Sequence, residues 1–305
     1  MNTNRKPIVV VGSVTMDLVT RTPQIPRVGE TLIGTAFHTT PGGKGANQAV
    51  AAARLGYPVF MVARVGDDHY GPTLLRSLAC VGVHIDAMEE VPGSSGIASI
   101  FLADSGENSI VVVPGANGKM DRRIVDAHAE TIRSAGIVLC QLEIPMDTLV
   151  YTLALCAEAD VPVMLDPAPA APIPDAAWKQ IAWFTPNETE AAFYLDDGAK
   201  AEVAASELLA RGLGGVVLKR GTEGAYVALP GKAAWVPPFK VQATDTVAAG
   251  DCFNGAFAVA LLEGRDPWEA ARFANAAAAI CVTRRGAQAA MPTRAEVESF
   301  LAAHT

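Results

Sequence analysis

Aromatic and charged residues are scarce in this 305-residue chain: Phe, Trp and Tyr make up 6%, and Asp, Glu, Lys and Arg 18%. With 50% hydrophobic residues beside them, that excludes a disordered, collagen-like or coiled-coil chain. No basic tract interrupts the balance of 24 Lys and Arg against 32 Asp and Glu, and the formal charge of -8 argues against a nucleic-acid or anionic-membrane partner. No apolar run reaches the length of a membrane span, and the apolar IVVVG that follows NTNRKP is too short for a secretory leader. The five cysteines (Cys80, Cys140, Cys156, Cys252, Cys281) form no C-x-x-C pair and have no histidine at zinc-ligand spacing. Reduced thiols in a cytoplasm are the expectation.

What is abundant is Ala, Val and Gly, which suits helices packed closely on a sheet. Ile8–Val11 is a continuous apolar run closed by Gly12, the form of a strand buried on both faces, and similar runs cover residues 59–65, 137–142, 161–165 and 216–218. Stretches of helical length lie between them, at 46–55, Gly71–Cys80 and Met146–Glu158. The alternation predicts an α/β fold with a doubly wound, mostly parallel sheet and helices on both faces, as one domain over 1–305. Residues 14–40 and 97–113 break it with β-type composition, the second holding the turn 104–108, and predict a small β-lid at the sheet edge. Beyond Gly250 the pattern is helical, with helices expected at 252–262, Pro267–Val282 and Arg294–Ala303.

Two common nucleotide fingerprints are missing. After the first strand the chain reads Gly12-Ser13-Val14-Thr15-Met16-Asp17 instead of G-x-G-x-x-G, and Gly42-Gly43-Lys44-Gly45 lacks the Ser or Thr of a phosphate-binding P-loop. An oxidoreductase is thereby disfavoured. Two Gly-rich stretches remain, each running into an Ala-rich helix. In Pro41-Gly42-Gly43-Lys44-Gly45-Ala46-Asn47, Lys44 and Asn47 offer donors to a hydroxylated or anionic ligand, and an ordinary strand-to-helix turn explains the same glycines equally well. In Asp245-Thr246-Val247-Ala248-Ala249-Gly250-Asp251, backbone amides at a helix start can receive a phosphoryl group, while Asp251 taken alone reads more readily as a plain helix cap. The helix dipole at that position predicts an Asp251 pKa below its ordinary value.

Together, GGKGANQA and DTVAAGDCFNGA, in that order and spacing, resemble the two signatures of the ribokinase-like sugar kinases. The likeness runs from about Ile8 to the C-terminus, and QLEIP, DPAPA, TPNETE and VTRRGAQ are most similar to the members that phosphorylate ribose. It implies ATP-dependent transfer to the 5-hydroxyl of D-ribose, with Asp251 as the base and the amides of Ala248, Ala249 and Gly250 as an anion hole. The sugar would be held by Thr15, Asp17, Gly42, Gly43, Lys44, Asn47 and Glu143, although Glu143 by itself reads as a solvated strand end. The nucleotide would meet Asn187, Lys219, Gly221, Thr222, Gly224, Gly250 and Asn275. Asn187 and Glu190, with Asp166 as a further member, would serve Mg2+, while the same N-x-x-E also reads as a helix start. Asp245, Val247, Cys281, Arg284, Gly286 and Ala290 match a K+ site beside the anion hole, and the lid implies a homodimer.

Four residues depart from the family pattern. Thr15 stands where an Asn is usual, which keeps 2-deoxyribose, another sugar or a nucleoside open as acceptor. Lys219 stands where a hydroxyl residue is common, and Ala290 where a hydroxyl can ligate the ion. Cys252 follows the base directly and reads either as a reactive thiol at a helix start or as a buried filler. A sugar-binding protein that has lost turnover is the alternative from another class, disfavoured by the intact Asp251, Asn187 and Glu190.

Overall fold

A computed structural model describes residues 5–195 and 198–304, so the extreme ends of the expected 1–305 domain lie outside the described residues. Strand β1 (Ile8–Val11) leads through β2 (Thr15–Thr22) and β3 (Ala36–Gly42) into helix α1 (Lys44–Arg54). Next come β4 (Val59–Gly66), α2 (Gly71–Cys80), β5 (Val83–His84), β6 (Met88–Val91), β7 (Gly96–Ala103) and β8 (Asn108–Val113). The middle of the chain holds α3 (Arg122–Ala127), α4 (Ala129–Arg133), β9 (Ile137–Cys140), α5 (Met146–Glu158), β10 (Val163–Leu165) and β11 (Trp183–Phe184). It closes with α6 (Glu188–Tyr194), α7 (Ala201–Leu209), β12 (Gly215–Lys219), β13 (Ala225–Leu229), β14 (Lys232–Val236), α8 (Ala249–Leu262), α9 (Pro267–Val282) and α10 (Arg294–Ala303).

The main sheet runs in the order β14-β13-β12-β11-β10-β9-β1-β4-β5, with β6 also on β4. Pairing is parallel from β12 to β5, and only β13 and β14 are antiparallel. Chain order reverses between β1 and its two neighbours, β4 and β9, the doubly wound pattern expected from the alternation. In β1, Ile8 and Val10 join the core that includes α1, α8 and α9, while Val9 and Val11 join the core under α3, α5 and α7. That explains a continuous apolar run: each alternate side chain meets a different helical layer.

The segment 14–40 is less regular than expected. Only Thr15–Thr22 and Ala36–Gly42 are strands, since Pro23, Pro26 and Gly29 disfavour pairing in the exposed stretch between them. With β7 and β8 they form a separate sheet in the order β3-β2-β7-β8. Strands β5, β6, β11, β13 and β14 were not expected. Both β5 and β11 span two residues each, too short to show a pattern, and β14 is mostly exposed. Among the described residues no helix is long and apolar enough to cross a membrane.

Helices α1 and α8 touch at Gly255, where a Cβ would lie 2.7 Å from both the Gln48 carbonyl and the Ala51 Cβ. Gly255→Val therefore has to push α8 off α1, at a cost of ~1–3 kcal/mol or more. A lower melting temperature together with weaker turnover is expected, because the same contact sets the spacing of the site; an unchanged melting temperature would refute the close-contact argument.

Candidate active site

The C-terminal ends of the central strands converge on one cavity of about 480 Å³, where open α/β sheets bind ligands. Its floor is α8. Ala248, the N-cap of that helix, sits at φ 59, a left-handed conformation uncommon for a residue with a Cβ, and so turns the chain sharply into the helix. The amides of Ala249, Gly250 and Asp251 follow in the first turn, ahead of any carbonyl four residues back within the helix, and Ala249 alone makes a long 3.3 Å bond to the Thr246 carbonyl.

Asp251 is 5% exposed. Asn47 Nδ2 donates to its Oδ2 at 2.9 Å and Gln48 Nε2 to its Oδ1 at 3.2 Å. The pKa expectation from the helix dipole is overturned here. Burial outweighs Lys44, Asn47 and Gln48, Asp166 adds a like charge, and the carboxyl is pushed up to about 6. A dipole effect of ~1 kcal/mol at an exposed terminus is smaller than the desolvation of a buried charge.

Lys44, in the first turn of α1, faces four carboxylates. Burial works against its charge, but Asp251, Asp166, Glu143 and Glu190 together hold the ammonium above its ordinary pKa. Across the cavity, Lys219 Nζ lies 2.9 Å from Asp166 Oδ1, both groups nearly buried. So Lys219, at the end of β12, does point into the site, and Asp166 has its other oxygen on Gln48 Nε2 at 2.9 Å.

Asn187 and Glu190 make a capping box on α6: Asn187 Oδ1 accepts from Glu190 N–H at 2.8 Å, and Glu190 accepts from Asn187 N–H at 2.7 Å. The helix-start reading of this pair therefore holds, and both residues still line the cavity. Burial raises the Glu190 pKa, with Lys219 opposing it. Among the described residues no three His, Cys, Asp or Glu side chains gather as a metal cluster. One or two carboxylates do fit a Mg2+ held mainly by water and phosphate oxygens. Gly221, Gly224 and Asn275 line the same cavity, whereas Thr222 sits exposed on the short turn Gly221–Glu223 and does not. Asn275 donates to the carbonyls of Val236 (3.3 Å) and Pro237 (3.0 Å).

On the other side of Asp251 lie the residues expected to hold sugar. Gly43 is the N-cap of α1 at φ 91, and a Cβ there would come within 2.8 Å of the Thr15 nitrogen. Only glycine fits. Glu143 is not a solvated strand end: it accepts from Ser13 Oγ at 2.5 Å and from Lys44 N–H at 3.0 Å. Asp17 packs against Gly42, and burial with a nearby Glu143 pushes it up to about 6 against the opposing Thr15 hydrogen bond. Thr15 Oγ1 donates to Asp17 Oδ1 at 2.8 Å, which occupies its one proton. Asn47 Oδ1 is buried without a hydrogen-bond partner in the chain, an acceptor open to a hydroxyl.

The six residues matched to a K+ site flank the start of α8. Asp245 links them, its Oδ1 accepting from Val247 N–H at 3.0 Å and its Oδ2 from Gly286 N–H at 2.9 Å. Cys281 ends its turn of α9 under the Arg284 amide, Arg284 itself pairs with Glu296 at 2.6 Å, and Ala290 is buried. Cys252 is the buried filler: a hydrogen bond with Cys281, with burial behind it, holds its thiol well above the ordinary pKa.

Sequence reasoning missed Ser13, Gln48, Gln141 and Asn117. Gln48 lies one helical turn beyond Lys44, a spacing that could have flagged it. Asn117 gave no signal, yet its amide clamps the Val14 peptide with two bonds of 2.9 Å and so anchors the start of β2.

A buried carboxylate at a helix start, amides around it and two lysines across from four acids have the chemistry of a small-molecule kinase. Residues 5–294 match the profile of the pfkB family carbohydrate kinases, and the chain belongs to that family. It is 46% identical over 295 residues to the ribokinase of Bacillus subtilis, covering 96% of this chain and 99% of that one. It is 36% identical over 300 residues to the deoxyribokinase of Salmonella typhimurium, covering 96% and 98%. The structure of Arabidopsis thaliana ribokinase complexed with ribose and ATP superposes with a TM-score of 0.91 at 36% identity, covering 97% of this chain and 99% of that chain.

Both Asp17 and Asp251 are raised to about 6, so each loses its charge as pH falls through that value. The ionised carboxylate of Asp251 is the form that can take a proton, and that of Asp17 is the stronger acceptor for a hydroxyl, so kcat/KM for sugar should be flat above about pH 7 and fall below 6 with a slope between one and two. In Asp17→Asn the slope should drop to one. An acid limb near 4 in the wild-type pH profile would contradict the burial argument.

Proposed function

We propose that this chain is an ATP-dependent kinase that phosphorylates the 5-hydroxyl of D-ribose. The observation that carries the reading is Asp251, buried at the start of α8 between the Lys44–Asn47 turn on one side and the cavity bearing Lys219 and the α8 amides on the other. The relatives named above include a ribokinase at 46% identity, well over the likeness to the deoxyribokinase. In this mechanism Asn47, Asp17 and Glu143 hold the sugar, and Asp251 takes the proton of the attacking hydroxyl. The amides of Ala248, Ala249 and Gly250, with Lys44 and Lys219, face the charge on the transferred phosphoryl group. Phosphoryl transfer needs positioning and charge neutralisation more than a strong base, so a carboxylate of pKa about 6 suffices.

ATP would lie along Gly221, Gly224 and Asn275, with Thr222 at the outer margin. Mg2+, held through Asn187 and Glu190 mostly by way of water, would neutralise phosphate charge; Asp166 serves better as the partner of Lys219 and Gln48 than as a direct ligand. K+ would bind between the segments that Asp245 joins, through backbone carbonyls near Val247, Cys281, Arg284, Gly286 and Ala290. The two sheets belong to one domain with a lid, and the five cysteines, all free thiols, fit the reducing cytoplasm.

Thr15 favours a second reading. Its one proton is spent on Asp17, so it cannot donate to a sugar hydroxyl as an amide at that position could. That weakens selection against 2-deoxyribose. An ADP-release assay with ATP and Mg2+ on D-ribose, 2-deoxy-D-ribose, fructose and adenosine, with and without K+, separates the readings. Ribose should give the highest kcat/KM and K+ should raise it; a higher value for 2-deoxyribose would transfer the assignment to that sugar. Asp251→Asn should lower kcat by about 10³-fold or more while sugar binding by calorimetry stays within about threefold. Turnover surviving in that variant would remove Asp251 from the role of base.

The lid carries the homodimer proposal. On its edge strand β8, Ile110, Val111, Val112 and Val113 are all about half exposed, and Phe37 on the opposite edge strand β3 is 64% exposed. Unpaired, apolar edge strands invite pairing with a second copy. Val112→Lys should convert a dimer to a monomer in analytical ultracentrifugation and raise the sugar KM, and a monomeric wild type would refute the dimer.

A further inference from the structure

We propose that Gln48, oriented by Gln141, is a positioning residue that ties the base Asp251 to the Asp166–Lys219 pair and so fixes the acceptor side of the site relative to the donor side. The inference rests on the kinase reading above and deepens it. Gln48 is 1% exposed on α1, and its single amide nitrogen reaches two carboxylates, Asp251 Oδ1 at 3.2 Å and Asp166 Oδ2 at 2.9 Å. Each carboxylate is held at its other oxygen, Asp251 by Asn47 and Asp166 by Lys219, both at 2.9 Å. The result is an unbroken chain Asn47–Asp251–Gln48–Asp166–Lys219, from the sugar turn to the nucleotide lysine.

A primary amide has two N–H donors, and here one serves each acid. Turned the other way, Gln48 would present its oxygen to two carboxylates and repel both. Gln141 sets the direction. Buried just beyond the end of β9, it donates Nε2 to Gln48 Oε1 at 2.7 Å, so the oxygen faces Gln141 and the nitrogen faces the acids. Gln141 packs closely on Gly12, where a Cβ would meet its Oε1 at 2.1 Å, and that buried oxygen has no hydrogen-bond partner in the chain, so its bond to Gln48 is the one that orients the pair. Gln141 reaches the base only through Gln48.

The test is a double-mutant cycle with Gln48→Met and Gln141→Met, which keep roughly the side-chain volume, measured by steady-state ribose kinetics and by calorimetric affinities for ribose and for ATP. Gln48→Met should lower kcat by about a hundredfold, the scale of a misplaced reacting group, with both affinities within about threefold. Gln141→Met should lower kcat by about tenfold, and the double variant should match Gln48→Met alone, because both residues act along one path. Gln141→Glu offers Gln48 a carboxylate that draws its nitrogen round, so it should lose more kcat than Gln141→Met, and it tests the idea even if Gln48→Met fails to fold. Near-normal kcat in Gln48→Met, losses confined to affinity, multiplicative losses in the double variant, or equal kcat in the two Gln141 variants would each overturn the inference. Wild-type enzyme inactive on ribose and on every other acceptor assayed would instead sink the kinase reading, so the two failures are distinguishable.

Discussion

Keeping Asp251 out of water between α1 and α8 has a free-energy cost that grows with its charge, and a helix terminus recovers only part of it. The remainder has to come from donors and counter-charges brought there by the fold. Asn47 and Gln48 supply the donors from α1, and Lys44 the nearest positive charge. Each of these groups is useful only if α1 and α8 stay in close contact. The charge balance is still not neutral, because Lys44 and Lys219 face Asp166, Asp251, Glu143 and Glu190. A triphosphate entering such a site meets excess negative charge, and a divalent cation on the Asn187–Glu190 side is the chemically simplest offset.

The same constraint explains the composition. Helices that carry a shared polar seam must approach until amide groups meet carboxylates, which leaves no room for large side chains at the crossing. Gly255 on α8 and Ala51 and Ala52 on α1 supply that closeness. Bulk is displaced instead to positions behind the seam, where Phe253 and Phe257 stack within the core. The shortage of aromatics therefore follows from a core built around tightly packed small-residue helices.

The central strands were legible in the sequence wherever both faces are buried, because β1 then shows an unbroken apolar run. The two Gly-rich turns were legible because a tight turn into a helix restricts residue choice locally, as at Gly43. The bonds that finish the site were not. Gln48 meets Asp166 across 118 positions and Asp251 across 203, and no short pattern encodes a contact of that span. Local reasoning failed in sign at Asp251, where the helix dipole was visible in the sequence and the burial that outweighs it was not. Strand β11 escaped for a simpler reason, since two residues carry no period.

The outer sheet is subject to the same constraint, because Asp17, proposed above to hold the sugar, is part of it. Strand β2 begins at Thr15 and carries Asp17, paired with Gly42 and Thr40 of β3, while β3 runs directly into the Lys44 turn. Asn117 holds the peptide of Val14 just before that strand begins. Any movement of the outer sheet thus shifts Asp17 against Lys44 and Asn47, which are fixed to α1 and through it to Asp251. A sugar bridging Asp17 and Asn47 would tie the outer sheet to the inner one, and closing that gap also removes water from the carboxylates. Binding of the acceptor and organisation of the base are then one physical event, and the residue that most directly biases it is Thr15, whose hydroxyl already holds Asp17 in place.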